Sequence, residues 1–441
     1  MEEQLWKACS EGKVEEVKKL LRNPQINTNW QNQDEYSRTP FSVACCSGHI
    51  EVVKLLLNDQ RVDINKANNY GSTPFHIACQ NGDIQIVKLL LNDERVIVNR
   101  TEEDGETPFH SACRHGHIDI VKLLLNDERV DINKSNNDGY IPFHVACSEG
   151  QVEIVKLLLN DNRVDINQST DGQTLYCIGY TPLYVACLSG CIKIVKLLLN
   201  DERVDINKTN IRGEKPFYVA CQNGHLKIVK LLLNDERVDI NQETNTGATP
   251  FYVACQFGQI EIVKLLLNDN RVHINKADKY DGQTPFHNAC QCGKTEVVKY
   301  LLESGREIDI NKKDNDGKTG LDWAKENGKT DIVELIESFQ IKIEDGKNYN
   351  KIENEKEEEI RSKKIEAEKR KIEEEKRKKA EKKESQKQRK KIEDGKKNLE
   401  EEKTKVEKKM KEERKTIEDE KKKRKKEQSK SIFIFLFYLL F

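Results

Sequence analysis

Cysteine is thin in this chain. Thirteen cysteines in 441 residues are too dilute for the stapled framework of a small secreted domain. Long apolar runs are also scarce. The longest, Ile432–Phe441, has ten residues; as a helix it covers ~15 Å, half of a bilayer core. With 36% hydrophobic and 34% charged residues, a multi-spanning membrane protein is excluded. The start, Met1-Glu2-Glu3-Gln4-Leu5-Trp6, has neither a basic nor an apolar region, so no secretory signal is expected. Chemistry-bearing motifs are missing as well: no glycine-rich phosphate loop, no His-Glu-x-x-His, no Cys-x-x-Cys, no nucleophile elbow. The expectation is a non-enzymatic intracellular protein with reduced thiols, no catalytic residues, no metal and no cofactor.

Neither sign of charge dominates, with 75 Lys+Arg against 76 Asp+Glu. That balance conceals two objects. Residues 1–340 hold 39 basic and 50 acidic side chains, whereas residues 341–430 hold 36 basic and 26 acidic. An acidic body joined to a basic tail points to an interaction segment.

Repetition is what the sequence has in abundance. Pro40, Pro74, Pro108, Pro142, Pro182, Pro216, Pro250 and Pro285 recur at intervals of 34, 34, 34, 40, 34, 34 and 35. A typical unit reads Thr73-Pro74-Phe75-His76-Ile77-Ala78-Cys79, Asn81-Gly82, Ile86-Val87-Lys88-Leu89-Leu90-Leu91, Asn92-Asp93. A ninth copy opens at Thr319-Gly320-Leu321, and a front-truncated one at Leu5-Trp6-Lys7-Ala8-Cys9. Threonine caps a helix, and proline suits its first position, where no N–H bond is needed. Gly82 supplies the left-handed residue that ends it. The Ile/Val/Leu run forms a second helix, apolar at three- and four-residue spacing. Asn92 is expected to end that helix in the left-handed conformation. A second glycine, as at Gly71 and Gly105, marks a tight turn between units. No pair buries its apolar face alone, but stacked pairs do, so a solenoid follows.

On these residues, 1–340 resembles the ankyrin-repeat family. Its Thr-Pro-Leu-His signature appears as Thr-Pro-Phe-His at 73–76, 107–110 and 284–287. The resemblance implies a mainly α fold, a solenoid of about ten helix-pair units with β-hairpin loops; the charge pattern beyond it predicts a long charged helix. Departures are visible. Asn-Asp-x-Arg-Val lengthens most units to 34 residues; Tyr184, Tyr218 and Tyr252 replace the signature histidine; Ile141 and Lys215 replace the capping threonine, at ~1 kcal/mol each where a cap is lost. Polar ends (Glu2, Glu3, Gln4, Lys7; Asp322, Lys325, Glu326, Lys329) predict terminal caps, with Leu5–Phe339 as the limits of the array. The domain organisation expected is 1–340 array, 341–430 charged helical or weakly coiled-coil tail, 431–441 apolar terminus.

Nine cysteines share one repeat position: Cys9, Cys45, Cys79, Cys113, Cys147, Cys187, Cys221, Cys255 and Cys290. Stacked helices stand ~8–10 Å apart, too far for disulfides or zinc, so the ladder reads as small hydrophobes. Cys46, Cys177, Cys191 and Cys292 lie off it, with Cys46 and Cys292 the candidates for exposure. By resemblance, His76, His110, His144 and His287 hydrogen-bond within and between turns. The sequons at Asn99, Asn133, Asn167 and Asn207 fall on a recurrent inter-repeat asparagine and read as by-products of the repeat.

Ankyrin arrays bind partners through hairpin tips and the concave side of the first helices. Against a repetitive background, the variable positions there are the candidates: Tyr70, Asp104, Glu106, Tyr140, Arg212 and Lys215 on hairpins, and Gln80/Asn81, Arg114/His115, Ser148/Glu149, Leu188/Ser189, Gln222/Asn223 and Gln256/Phe257 after the Ala-Cys pair. Tyrosine, arginine and phenylalanine are good interface anchors. An insertion at Gln168–Tyr180 adds six residues, Tyr176 among them, and is apolar enough to cap a neighbour or meet a partner.

The tail abounds in i,i+4 pairs such as Glu366–Arg370, Glu374–Lys378 and Glu418–Lys422, each adding ~0.2–0.5 kcal/mol to a helix. Ile365, Ile372, Leu399, Val406, Met410 and Ile417 give about one apolar residue per heptad where a coiled coil wants two. A single charged helix is expected, with weak self-association as the alternative. Lys421, Lys422, Lys423, Arg424, Lys425 and Lys426 beside the apolar terminus read as an anionic-membrane anchor or an import patch; nucleic acid is not the expected partner. The functional expectation is a protein–protein interaction scaffold or adaptor in the cytoplasm. The alternatives are a membrane-peripheral tether and a regulatory nuclear factor.

Overall fold

The computed structural model describes residues 1–172, 177–345 and 350–438. The chain divides into two units, Met1–Glu344 and Asp345–Phe441.

The first unit is a stack of helix pairs. The first helix of a pair runs Pro40–Cys46, Pro74–Asn81, Pro108–Arg114 and onward to Gly320–Glu326; the second runs Ile50–Leu57, Ile84–Leu91, Ile118–Leu125 and onward to Thr330–Asp345. Glu2–Ser10 and Val14–Leu21 form the opening pair, so there are ten among the described residues. Thr73, Thr107 and Thr284 accept the N3 backbone N–H, and the N3 histidine reaches back to the cap. Ile141 makes no side-chain cap but is fully buried, so burial offsets the lost bond. The turn glycines take φ near +80°, as at Gly82 and Gly116; a Cβ at Gly82 would also stand 2.6 Å from the His117 ring.

The phenylalanine after the helix-opening proline in seven units (Phe41, Phe75, Phe109, Phe143, Phe217, Phe251, Phe286) and the nine ladder cysteines are buried, forming one core that runs the length of the stack. The nine ladder thiols are free, and burial pushes all of them up, Cys9 to about 12. Cys46, Cys177, Cys191 and Cys292 are half-buried.

Asn92 does not turn left-handed: it sits at φ −74°, ψ −11°. The reason lies in the following unit, whose Arg129 reaches the Leu91 carbonyl. The arginine of each Asn-Asp-x-Arg-Val run (Arg61, Arg95, Arg129, Arg163, Arg203, Arg237, Arg271) donates to the last-turn carbonyl of the preceding unit's second helix (Leu21, Leu57, Leu91, Leu125, Leu159, Leu199, Leu233) at 2.6–3.1 Å. Its own aspartate holds the guanidinium at 2.5–2.7 Å. Orphan carbonyls at a helix C-terminus need donors, and the next unit supplies one, so no left-handed cap is required.

A second ladder runs beside it. Asn65, Asn99, Asn133, Asn167, Asn207 and Asn241 each donate to the backbone carbonyl of the next unit's arginine at 2.6–2.8 Å. Asn65, Asn99, Asn133, Asn167 and Asn241 also accept a backbone N–H from that unit. The sequon asparagines therefore have their amides occupied by the stack.

Hairpin loops project between pairs. Each is closed by a backbone bond, such as Asn68 N–H to Ser72 O at 3.0 Å and Glu102 N–H to Glu106 O at 2.9 Å, and stacks on the next through Glu103 N–H to Tyr70 O and Asn137 N–H to Asp104 O. The inserted loop is closed by Thr170 N–H to Tyr180 O at 3.0 Å.

In the second unit a helix runs Asn350–Tyr438, ~135 Å long, and Gly395 does not interrupt it. Glu366–Arg370, Glu374–Lys378 and Glu418–Lys422 face each other one turn apart. Leu399, Val406, Met410 and Ile417 are all more than half exposed. Among the described residues, no helix is long and apolar enough to cross a membrane.

Candidate interaction surface

The hairpins of the second to fourth units and the first helix of the third form an open cavity of about 470 Å³, lined by Tyr36, Arg38, Asn68, Tyr70, Ser72, Ile77, Gln80, Glu102, Glu103 and Asp104. Its construction follows from the repeat. Tyr36 and Tyr70 stand 34 positions apart at the same hairpin position, so stacking brings their rings to 5.7 Å between centroids, tilted by 41°. Tyr36 and Ser37 both hold a left-handed backbone, φ 57° and 56°, a conformation costing ~1–2 kcal/mol per non-glycine residue. Gln33–Glu35 forms a 3-10 turn just before them, closed by Asn32. The result is a tight loop that places the Arg38 guanidinium 5.1 Å from the Tyr36 ring centroid. Arg38 Nε is buried without a hydrogen-bond acceptor, so the aromatic face is what holds this group.

Three carboxylates come from the next hairpin. Glu103 and Asp104 are exposed, and Glu102 is half-buried. Burial pushes the Glu102 carboxyl above the usual carboxylate range, a Ser72 hydrogen bond opposes this, and Asp104 and Glu106 add to it. Tyr70 and Tyr36 expose about half of their surface, 52% and 47%. Three residues singled out in the sequence, Tyr70, Gln80 and Asp104, thus meet in one concavity. Tyr36, Arg38, Glu102 and Glu103 were missed, although Tyr36 carried the signal of standing one period before Tyr70.

A second cluster is closed on itself. Arg114 bridges Glu106 and Glu149, the latter at 2.8 Å, and Glu106 is only 6% exposed. Neighbouring units share these charges, which consume one another.

The remaining candidates stand apart. His115 is exposed, its Nδ1 2.9 Å from Ser111 O and its ring nearly parallel to His117 at 6.2 Å. Tyr140 is half-buried, edge-on to His144 at 5.6 Å. Leu188 packs on the core, Arg212 is exposed, and Phe257 is 49% exposed. Tyr176 lies outside the described residues. Lys421–Lys426 are exposed along the tail helix. Among the described residues, no group of histidine, cysteine and acidic side chains has the arrangement of a metal site.

The signature positions are accounted for by the stack. His76, His110, His144 and His287 accept a backbone N–H at Nδ1 and bond the next unit's carbonyl through Nε2. Two of the three substituting tyrosines reach a hairpin carboxylate instead: Tyr184 donates to Glu214 at 2.8 Å and Tyr252 to Asp278 at 2.9 Å.

Helix pairs at this period, stacked through signature residues, define a repeat module of the protein-binding kind. The family profile described as Ankyrin repeats (3 copies) matches residues 5–100, 57–136, 94–170, 128–210, 183–278 and 270–345. The chain belongs to the ankyrin-repeat family, whose arrays are in general protein–protein interaction modules. No curated protein matches the chain.

Proposed function

We propose that this chain is a non-enzymatic scaffold or adaptor that holds a protein partner in the concavity between its early hairpins and first helices, with residues 1–340 as the binding domain and 341–430 as a separate charged tail. The observation that carries the reading is the Tyr36–Tyr70 cavity, where half-exposed aromatic rings stand beside polar and acidic side chains on the stack. Aromatic anchors in a partly desolvated pocket are what interface hot spots are made of. A photo-reactive phenylalanine analogue at Tyr70 tests it in the full chain. Partner-derived cross-links should form there, and not from the same group at Lys122 on the outer helices. Equal yields at both positions would sink the reading.

The tail supports a second role. One helix carries the six basic residues of Lys421–Lys426 directly into the apolar stretch that begins at Ile432. Basic residues gain about 1 kcal/mol each near an anionic leaflet, and salt screens that gain; the apolar end adds shallow insertion. A peripheral membrane tether is the reading that uses both.

A further inference from the structure

The cavity has an internal polarity that restricts what enters it. Its second-unit wall carries one cation, Arg38, already seated on the Tyr36 face at 5.1 Å. Its fourth-unit wall carries Glu102, Glu103 and Asp104 with no basic residue among the lining groups on that side. The Tyr70 ring lies between the two walls and is half exposed. Two arginines of these units are committed elsewhere: Arg114 to Glu106 and Glu149, and Arg95 to Asp93 and the Leu57 carbonyl. One aromatic face therefore stays open beside three carboxylates.

We infer that this cavity seats a lysine or arginine side chain of an extended partner peptide, its cationic head over the Tyr70 ring and against Glu102, Glu103 and Asp104. The inference rests on the scaffold reading above and names the chemistry the scaffold selects. Three arguments carry it. The cavity's lining carboxylates outnumber its cation three to one, so charge complementarity calls for a cation. A ring quadrupole attracts a cation within ~6 Å of its centroid, and Tyr36 in this same cavity holds a guanidinium in that geometry. Glu102 is half-buried, its carboxyl pushed up by burial although Ser72 and Arg114 act against this, and a desolvated carboxylate gains most from an incoming cation. The volume, about 470 Å³, takes one long side chain with its flanking backbone and is too small for a helix.

The test uses the full chain and a positional-scanning library of acetylated, amidated hexapeptides, screened at 150 and 500 mM salt. Lysine or arginine should be enriched at a single position, and the enrichment should survive the higher salt, because a partly enclosed site is screened less than an open surface. For the best basic peptide, Tyr70→Ala and Glu102→Gln should each weaken binding at least tenfold. Tyr70→Phe should stay near wild type, since the ring and not the hydroxyl makes the contact. Tyr280→Ala, at a distant hairpin tip, should change affinity less than twofold. Tyr70 is exposed, so its variants report on binding even if Glu102→Gln perturbs folding. A basic enrichment that survives Tyr70→Ala, or vanishes at 500 mM salt, marks the pull of an acidic surface and overturns the inference. Enrichment of acidic or apolar residues, or of none, overturns it too. The photo-cross-linking experiment decides the scaffold reading separately, because it does not depend on the partner's charge.

Discussion

Lowering the pH from 7.5 to 5.0 should weaken the array through four buried imidazoles, before carboxylates contribute much. At His76 the backbone N–H of Thr73 points at Nδ1 from 3.1 Å. An amide can only donate, so Nδ1 is bare. Nε2 faces the Glu106 carbonyl at 3.3 Å, which can only accept, so Nε2 carries the proton. The same pair of constraints fixes His110, His144 and His287 as neutral rings of one tautomer. Burial, opposed by the carbonyl contact, pushes His76 and His144 down to about 4, and lowers His110 and His287. In the unfolded chain these rings titrate near 6.5. The folded state therefore binds fewer protons than the unfolded state between pH 6.5 and about 4. Stability is full above 6.5 and is lost as the pH falls toward 4. Over the 1.5 units from 6.5 to 5.0, His76 and His144 each cost about 2 kcal/mol, about 4 together. Urea midpoints measured across this range provide the assay, with His76→Gln/His144→Gln as the control. The double variant starts less stable but should show a shallower pH slope. A flat wild-type profile, or an unchanged slope in the variant, would falsify the locked-neutral account.

Three further outcomes are expected. Arg129→Lys keeps the charge but loses the fork that spans Asp127 and the Leu91 carbonyl, so it should lose nearly as much stability as Arg129→Met, ~1 kcal/mol for a part-exposed clamp; a fully stable lysine variant in urea titration contradicts the clamp. Native thiol labelling should modify Cys46, Cys177, Cys191 and Cys292 and spare the nine ladder cysteines until the array unfolds, with stoichiometric labelling of all thirteen in native buffer as the contrary result. The intact chain should sediment with anionic vesicles at low salt and less so after deletion of Ile432–Phe441, whereas protein that stays in the supernatant removes the tether reading.

The fold was legible because its signals are local. Threonine, proline and glycine fix where each helix starts and stops within a dozen residues, and a 34-residue period repeats that message. What escaped was everything that crosses from one unit to the next. Asn92 looked like a left-handed cap because nothing near it in sequence showed an arginine from the following unit arriving at Leu91 and its neighbours. Arg114 and Glu149 looked like variable surface residues; only the stacking register shows that they pair across the boundary between units. The candidate concavity was half visible. Tyr70 and Asp104 stood out by type, but Tyr36 and Arg38 depend on a strained turn, φ 57° and 56°, that no glycine announces.

The arginine and asparagine ladders also bear on how such a chain changes length. Each seam between neighbours is written in the same residues: an arginine reaching back, an asparagine reaching forward, a leucine carbonyl waiting. A cut at Thr107 and a rejoin at Ile141 would bring Arg163 to the carbonyl of Leu91 and Asn99 to the backbone of Arg163, with each donor meeting an acceptor of the kind it left. Gene duplication or loss in steps of 34 codons therefore carries its own splice compatibility. The number of units can drift while every joint stays whole, and only the singular features, the Tyr36 turn and the enlarged loop before Tyr180, tie a given length to a given task.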